Sequence, residues 1–177
     1  MTLIICSLAS LPEVVAQRQP SHLITLLGPD WMIEEMGEVG RGRHLRITVD
    51  DIHEPMPGLI APEAADVERA LAFARAWDGA APMVVHCFAG VSRSSATALA
   101  IACERNPETP EQEIALLLRR LAPHAFPNRR ITAIADQLLG RHGRLIDAVE
   151  AMGRDDLEAP HVPVELPSRF PTDVFPS

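Results

Sequence analysis

The chain has 177 residues and a net charge of −8 at pH 7, with 47% hydrophobic residues and a mean hydropathy near zero. This length fits one ordinary domain with a proper core, and no apolar run approaches the roughly 20 residues that a membrane span needs. The acidic balance disfavours surfaces that bind nucleic acid or anionic membranes, so neither partner is expected. Three cysteines are too few and too odd in number for a disulfide framework, and no Cys/His spacing resembles a metal site.

The first half of the chain contains four predicted strands. Short apolar runs bounded by turn residues at 2–6, 22–27, 45–49 and 82–87 are typical of buried strands. The first run has no basic segment before it and is followed at once by Pro12, which indicates a strand leading into a turn rather than a secretion signal. We therefore expect a cytoplasmic protein.

Predicted helices alternate with these strands and then take over the second half of the chain. Apolar residues recur at helical spacing after Pro62, after Ser92, and over 111–121, 128–139 and 143–152. Strands that alternate with helices, followed by helices alone, predict a single α/β domain. In this domain a central, mostly parallel sheet is flanked by helices and followed by a C-terminal helical cluster.

The C-terminal segment differs in composition from the rest of the chain. Residues 155–177 are rich in proline and show little periodicity. This composition predicts a tail that lies on the surface or is disordered. The domain is accordingly expected to cover residues 1–154.

The segment PMVVHCFAGVSRSSATALA joins a predicted strand to a predicted helix. The strand ends at Cys87, and five residues separate Cys87 from Arg93 at the start of the helix. A short loop at this junction points successive N–H groups at one spot, where the helix dipole adds partial positive charge. An anion such as phosphate is favoured there. The candidate binding loop consists of Phe88, Ala89, Gly90, Val91 and Ser92.

Three side chains beside this loop supply the residue types of a nucleophilic phosphate-transfer site. The helix N-terminus favours the thiolate form of Cys87, which is its nucleophilic form. Arg93 can fold back and grip two phosphate oxygens, and Ser94 can donate its hydroxyl to the sulfur when it leaves. A structural cysteine in an ordinary turn explains Cys87 alone but not Arg93 at this spacing. His86 is expected to be a hydrogen-bonded positioning residue behind the loop.

The segment HCFAGVSRS closely resembles the Cys-x5-Arg signature of the protein tyrosine and dual-specificity phosphatases. The resemblance covers about residues 45–140 and implies a phosphotyrosine phosphatase-like fold. It also implies hydrolysis of phosphate monoesters through a phosphocysteine intermediate, without a metal or organic cofactor. The short chain, the missing phosphotyrosine-recognition motif and the mid-chain position of Cys87 indicate a compact, dual-specificity-like member of a bacterial type.

A phosphocysteine mechanism needs a general acid for the leaving oxygen. In the dual-specificity family this acid is an Asp on a loop after a strand, and the segment RITVDDIHEP places Asp50 and Asp51 at such a position. Alignment of the strand end favours Asp51 and leaves Asp50 as the alternative. Turn formation or helix capping is the purely structural explanation for either residue.

The segment LAPHAFPNRRITAIADQLLG resembles a later family stretch, in which Pro-Asn opens a helix and the Asn side chain braces the phosphate loop. Asn128 is expected either to brace the loop in this way or to act as a plain N-cap. Arg129 and Arg130 follow in the first turn of the helix. A solvated face is favoured for them over a substrate contact.

The substrate class stays open at this level. We expect a phosphorylated protein or peptide, with phosphotyrosine first and phosphoserine or phosphothreonine as alternatives. A phosphoinositide, nucleotide or RNA end is a second possibility, although Phe88, Ala89 and Val91 stand where lipid phosphatases of the family tend to carry Lys. A phosphate-binding module without turnover is the alternative outside enzymes, and a rhodanese or arsenate reductase fits the motif less well. The sequence carries no signal for an oligomeric state.

Overall fold

The computed structural model describes residues 1–153 and 161–170 of the chain. In chain order the elements are β1 (Thr2–Ser7), α1 (Leu11–Arg18), β2 (His22–Leu27), β3 (His44–Thr48), α2 (Ala64–Arg75), β4 (Met83–Cys87), α3 (Arg93–Arg105), α4 (Glu111–Leu121), α5 (Arg129–Leu138), α6 (Arg144–Met152) and β5 (Val164–Pro167). Two short 3₁₀ turns, Pro29–Trp31 and Gly37–Val39, lie between β2 and β3.

The five strands form one sheet in the order β3-β2-β4-β1-β5. The first four are mutually parallel, and β5 pairs with β1 in the antiparallel direction. The near-continuous apolar runs of β1, β2 and β4 suit strands that are covered on both faces. The predicted α/β domain with a mostly parallel sheet and a C-terminal helical cluster is confirmed, as are its four predicted strands.

The two faces of the sheet are covered unequally. Leu3 and Ile5 of β1 belong to a large buried cluster with α2 to α6, whereas Ile4 and Cys6 belong to a smaller cluster with α1. This division follows from the alternation of side chains along a strand. Because β1, β2 and β4 are parallel neighbours, their carboxyl ends lie together at one edge of the sheet, between the two layers.

The turn predicted after β1 is in fact α1. Leu11, Val14 and Val15 recur at helical spacing and are buried against the sheet. Pro12 stands in the first turn of this helix, where its missing N–H is tolerated. The proline thus marks the start of a helix rather than a turn alone.

Part of the proline-rich segment 155–177 is integrated in the sheet as β5. Val164 and Leu166 are buried and pair with β1, while Glu165 and Pro167 of the same strand are exposed. β5 is therefore an edge strand instead of a surface tail. The residues 154–160 and 171–177 lie outside the described part of the chain.

Candidate active site

The junction between β4 and α3 forms a tight loop over residues 88–92. Gly90 has φ +75°, and a Cβ at this position would lie 2.8 Å from the carbonyl carbon of Cys6 and 2.9 Å from the nitrogen of Ser7. Only glycine fits so close to a backbone in this conformation. The end of β1 is therefore packed directly against the loop.

Three carbonyls of this loop accept hydrogen bonds from distant parts of the chain. Leu8 N–H donates to the Phe88 carbonyl (3.1 Å), Phe126 N–H to that of Val91 (2.9 Å) and Asn128 N–H to that of Ser92 (3.2 Å). Within the described residues, the backbone N–H groups of 89–92 donate no hydrogen bond. With the α3 N-terminus beside them, these free donors form a cradle for an anion.

Cys87 lies at the base of this cradle, at the carboxyl end of β4. Its side chain is buried, and its sulfur is 3.2 Å from the hydroxyl oxygen of Ser94. Ser94 is fixed in the first turn of α3, so the Ser94 hydroxyl can donate to the sulfur when the sulfur carries charge. The structure thus brings together the two residues as the spacing predicts.

Arg93 presents one edge of its guanidinium without a hydrogen-bond partner among the described residues. Its side chain is 8% exposed, and its Nη1 donates to the carbonyl of Val49 at 2.7 Å. Nε is buried with no hydrogen bond within the described residues, and Nη2 makes none either. Nε and Nη2 are the parallel donors that bind a carboxylate or phosphate in bidentate fashion. An anion bound at this edge would satisfy both donors.

Asp51 contacts the loop 88–92, whereas the Asp50 side chain accepts a hydrogen bond from the segment that follows it in the chain. One carboxylate oxygen of Asp51 accepts from the Ser92 hydroxyl (2.7 Å) and from the Asn128 amide (2.8 Å). The other lies 4.0 Å from Nε of Arg93 and accepts no hydrogen bond within the described residues. Asp50 accepts from the N–H of Ile60 at 2.8 Å and closes the loop between them. Of the two aspartates, Asp51 is the one positioned at the cradle.

Asn128 both caps α5 and links two loops. Its side-chain oxygen accepts from the N–H groups of Arg130 and Ile131, each at 3.1 Å, which is the geometry of an N-cap. Its amide nitrogen donates to Asp51 rather than to the phosphate loop. Only the Asn128 backbone N–H reaches that loop, at the Ser92 carbonyl. The Asn128 side chain therefore contacts Asp51, and not the loop that it was predicted to brace.

His86 ends a chain of buried polar groups on the α1 face of the sheet. Burial lowers the pKa of both His86 and His44 to about 4, so both rings are neutral at pH 7. Met36 N–H donates to Nδ1 of His44 (3.0 Å), and the Thr25 hydroxyl lies 2.7 Å from Nε2 of each histidine. His44 therefore carries its hydrogen on Nε2 and donates it to Thr25, whose own hydroxyl hydrogen is available to Nε2 of His86.

This order of donors favours the tautomer of His86 that carries its hydrogen on Nδ1. Because Nε2 accepts from Thr25, the hydrogen of the neutral ring is on Nδ1. Nδ1 is buried and has no hydrogen-bond partner within the usual distance and angle limits among the described residues. A contact with the Cys87 backbone partly offsets the lowering of the His86 pKa by burial. His86 thus holds an N–H donor directly behind the candidate nucleophile.

The two other cysteines are core residues. Burial raises the pKa of Cys6 and of Cys103 to about 12, so both are neutral thiols. Cys6 pairs with His86 across β1 and β4 and belongs to the α1-side cluster, while Cys87 belongs to the cluster on the opposite face. The sheet therefore separates Cys6 from Cys87.

A groove of about 1010 Å³ runs beside Asp51, between the segment 51–56 and α5. Arg129 and Arg130 form part of its wall, together with the apolar side chains of Ile52, Pro55, Met56, Ala133 and Ile134. Arg130 donates through Nε to the Pro62 carbonyl at 2.6 Å. Arg129 is exposed and makes no ion pair or hydrogen bond within the described residues.

Sequence reasoning missed Thr25, His44 and Trp31. A signal existed for Thr25, because it is a hydroxyl in the middle of the apolar run 22–27 and must find a partner when buried. The sequence gives no comparable signal for His44 and Trp31, because their positions depend on how the long β2–β3 connection returns to the sheet. Trp31 packs against Phe88 at the rim of the loop.

No group of His, Cys, Asp and Glu within the described residues is arranged to hold a metal ion. In the same part of the chain, every helix is too short or too polar to cross a bilayer.

Two solved structures of the phosphatase superfamily are similar to this chain. PTPMT1, in a complex with PI(5)P, is 15% identical over 77% of this chain and 87% of its own, with a TM-score of 0.56. DUSP15 is 16% identical over 88% of this chain and 94% of its own, with a TM-score of 0.58. No protein-family profile matches the sequence, and no curated protein is significantly similar to it. The chain therefore has the fold of these phosphatases.

Proposed function

We propose that the chain is a cysteine-dependent phosphatase that hydrolyses phosphate monoesters, with phosphotyrosine in proteins or peptides as its substrate. The observation that carries this proposal is the open guanidinium edge of Arg93. Among the described residues this edge makes no hydrogen bond, has only the Asp51 carboxylate 4.0 Å from Nε, and lies beside a loop whose N–H groups donate no hydrogen bond. Together they match the oxygens of a phosphoryl group, with the Cys87 sulfur at the base.

In the first step the Cys87 thiolate attacks phosphorus in line, and the bond between phosphorus and the leaving oxygen breaks. Asp51 gives its proton to that oxygen through the carboxylate oxygen that no protein donor occupies. Arg93 and the loop N–H groups hold the three equatorial oxygens as charge spreads over them. The products are an alcohol or phenol and a phosphocysteine.

In the second step water attacks the phosphocysteine, and Asp51 takes the proton from that water. The sulfur–phosphorus bond breaks, and Cys87 returns to the thiolate with inorganic phosphate as product. The Ser94 hydroxyl, 3.2 Å from the sulfur, stabilises the departing thiolate. The residues described supply every proton and electron pair that this cycle needs.

The test is hydrolysis of para-nitrophenyl phosphate and phenyl phosphate against pH, in EDTA. Wild type should turn over both substrates, and Cys87→Ser should lose at least about 10³-fold in kcat. Asp51→Asn should lose the alkaline fall of the profile, with the larger loss on phenyl phosphate because phenolate is the poorer leaving group.

Asp50→Asn is the matched control, because Asp50 bonds to Ile60 and not to the phosphate loop. It should keep the alkaline limb. A fully active Cys87→Ser variant would refute the mechanism. A folded wild type that binds phosphate esters without hydrolysing them would instead identify a phosphate-binding module.

A phosphoinositide is the second candidate substrate, favoured by the groove beside Asp51. Arg129 in its wall lacks a protein partner and could neutralise a further phosphate on the inositol ring. Release of phosphate from a panel of phosphoinositides and of matched phosphopeptides separates the two substrates. Faster turnover of every phosphoinositide would replace the peptide assignment.

We also place the protein in a reducing compartment such as the cytoplasm, since the mechanism requires a free thiol at Cys87. All three cysteines are free in the structure. Detection of a tagged full-length chain in fractionated cells checks this placement.

A further inference from the structure

Two exposed aromatic rings stand together beside the candidate nucleophile. Phe88 follows Cys87 directly and is 47% exposed, and Trp31 is 58% exposed. Their ring centroids are 4.8 Å apart and their planes meet at 67°, an edge-to-face arrangement. Each ring thus keeps much of its surface open to solvent.

The fold anchors Trp31 at the same edge of the sheet as the phosphate loop. β2 and β4 are parallel neighbours, so their carboxyl ends lie side by side. Gly28 follows β2, and a Cβ on it would lie 2.3 Å from an Asp50 carboxylate oxygen. The backbone N–H of Trp31 donates to the Gly28 carbonyl at 3.1 Å, and this hydrogen bond closes the 3₁₀ turn. The indole is therefore carried on a turn that is fixed between the acid segment and the phosphate loop.

Folding does not account for this exposed pair. Of the Trp and Phe side chains in the described part of the chain, only these two are exposed, while Trp77 is 2% exposed in the core. Large apolar side chains that are grouped and left open to solvent mark a binding surface. Here that surface adjoins the loop that holds the phosphate.

We propose that Trp31 and Phe88 bind the aromatic ring of an aryl phosphate, so that phosphotyrosine side chains are preferred over phosphoserine and phosphothreonine. This inference rests on the proposed phosphatase function. Cys87 and Arg93 are buried below the rim, and a phenyl ring holds phosphorus further from a peptide backbone than a serine side chain does. The ring would span the rim and pack on the open face of the pair.

The first test compares kcat/KM for one peptide carrying phosphotyrosine or phosphothreonine at the same position. Trp31→Ala should lower the ratio of the two values by roughly fivefold to tenfold, which is the size of one aromatic contact. Trp31→Phe should restore most of the ratio. Leu116→Ala, an exposed apolar residue on α4, is the control and should leave it unchanged.

The second test uses the fluorescence of Trp31 in the Cys87→Ser variant. Phenyl phosphate should change the emission at saturating concentration, whereas inorganic phosphate should bind with little change. In a Cys87→Ser, Trp31→Phe double variant only the buried Trp77 remains, and the response should vanish.

The outcomes separate this inference from the function on which it rests. An active wild type whose selectivity and fluorescence do not depend on Trp31 would overturn the aromatic site alone. A wild type with no activity on any phosphate monoester would overturn the proposed function, while a Trp31 response to phenyl phosphate would still support the site.

Discussion

At the scale of single residues, the open edge of Arg93 distinguishes this site from an ordinary strand-to-helix turn. The Val49 carbonyl holds Nη1, and this contact orients the plane of the guanidinium. Nε and Nη2 then form the edge that faces Asp51, whose carboxylate lies 4.0 Å from Nε. The geometry of the fork, rather than the positive charge alone, is what the protein has arranged.

Arg93→Lys tests this distinction between geometry and charge. Lysine keeps the charge but offers a point contact instead of two parallel N–H groups. We expect kcat on para-nitrophenyl phosphate to fall by about 10²- to 10³-fold, the effect of losing a preorganised donor in a buried site. Arg75→Lys, a change in an exposed ion pair, is the control and should keep full activity. A loss below tenfold in Arg93→Lys would mean that charge alone suffices.

At the scale of elements, β2 and β3 place Thr25 and His44 in a hydrogen-bonded chain that ends at His86, the residue before Cys87. The order of donors runs from Met36 N–H to His44, then to Thr25, then to His86. The backbone N–H of Met36 in the β2–β3 connection thus sets the tautomer of His44, and the Thr25 hydroxyl links this tautomer to that of His86. This chain joins the connection that carries Trp31 to the residue before Cys87.

Thr25→Val removes the hydroxyl while keeping the shape of the side chain. It leaves a donor of His44 and an acceptor of His86 buried without partners. We expect the free energy of unfolding to fall by about 1–3 kcal/mol. Thr25→Ser keeps the hydroxyl and should lose clearly less. Urea unfolding followed by Trp77 fluorescence measures both, and equal losses in the two variants would argue against the donor chain.

The elements also show which parts of the fold the sequence could predict. The phosphate loop was predictable because Cys87, Arg93 and the loop between them are local in sequence, as is the apolar run before them. α1 and β5 were not, because each contributes only two or three buried apolar side chains next to prolines. Their structure depends on the neighbouring strand rather than on their own pattern. The partners of Asp51 and Trp31 were unpredictable for the same reason, since they come from distant segments.

At the scale of the whole molecule, neutral histidines in the interior make stability depend on pH. Burial lowers the pKa of His44 and His86 to about 4, below the value near 6.5 expected for the unfolded chain. Between these values the unfolded chain binds protons that the folded chain excludes. Stability is therefore full above about pH 6.5 and is lost as the pH falls towards 4.

We expect each of these two histidines to remove up to about 1.4 kcal/mol of unfolding free energy per pH unit within this window. Urea unfolding at several pH values between 7.5 and 4.5 measures the slope. In His44→Gln the slope of unfolding free energy against pH should decrease by the contribution of one histidine. A stability that is constant between pH 7 and 5 would contradict a buried neutral pair.

The long-range hydrogen bonds to the carbonyls of residues 88–92 also determine when this loop can form during synthesis. The Val91 and Ser92 carbonyls accept local hydrogen bonds from Ser95 and Ala96. The other donors to the loop carbonyls are Leu8, Phe126 and Asn128, which are distant from the loop in sequence. Contacts so far apart in sequence form only after long segments of chain have closed. A ribosome-bound chain that has emerged only as far as α4 lacks two of these three donors. Its loop would lack these contacts, and the anion cradle above Cys87 would form only when the domain is complete.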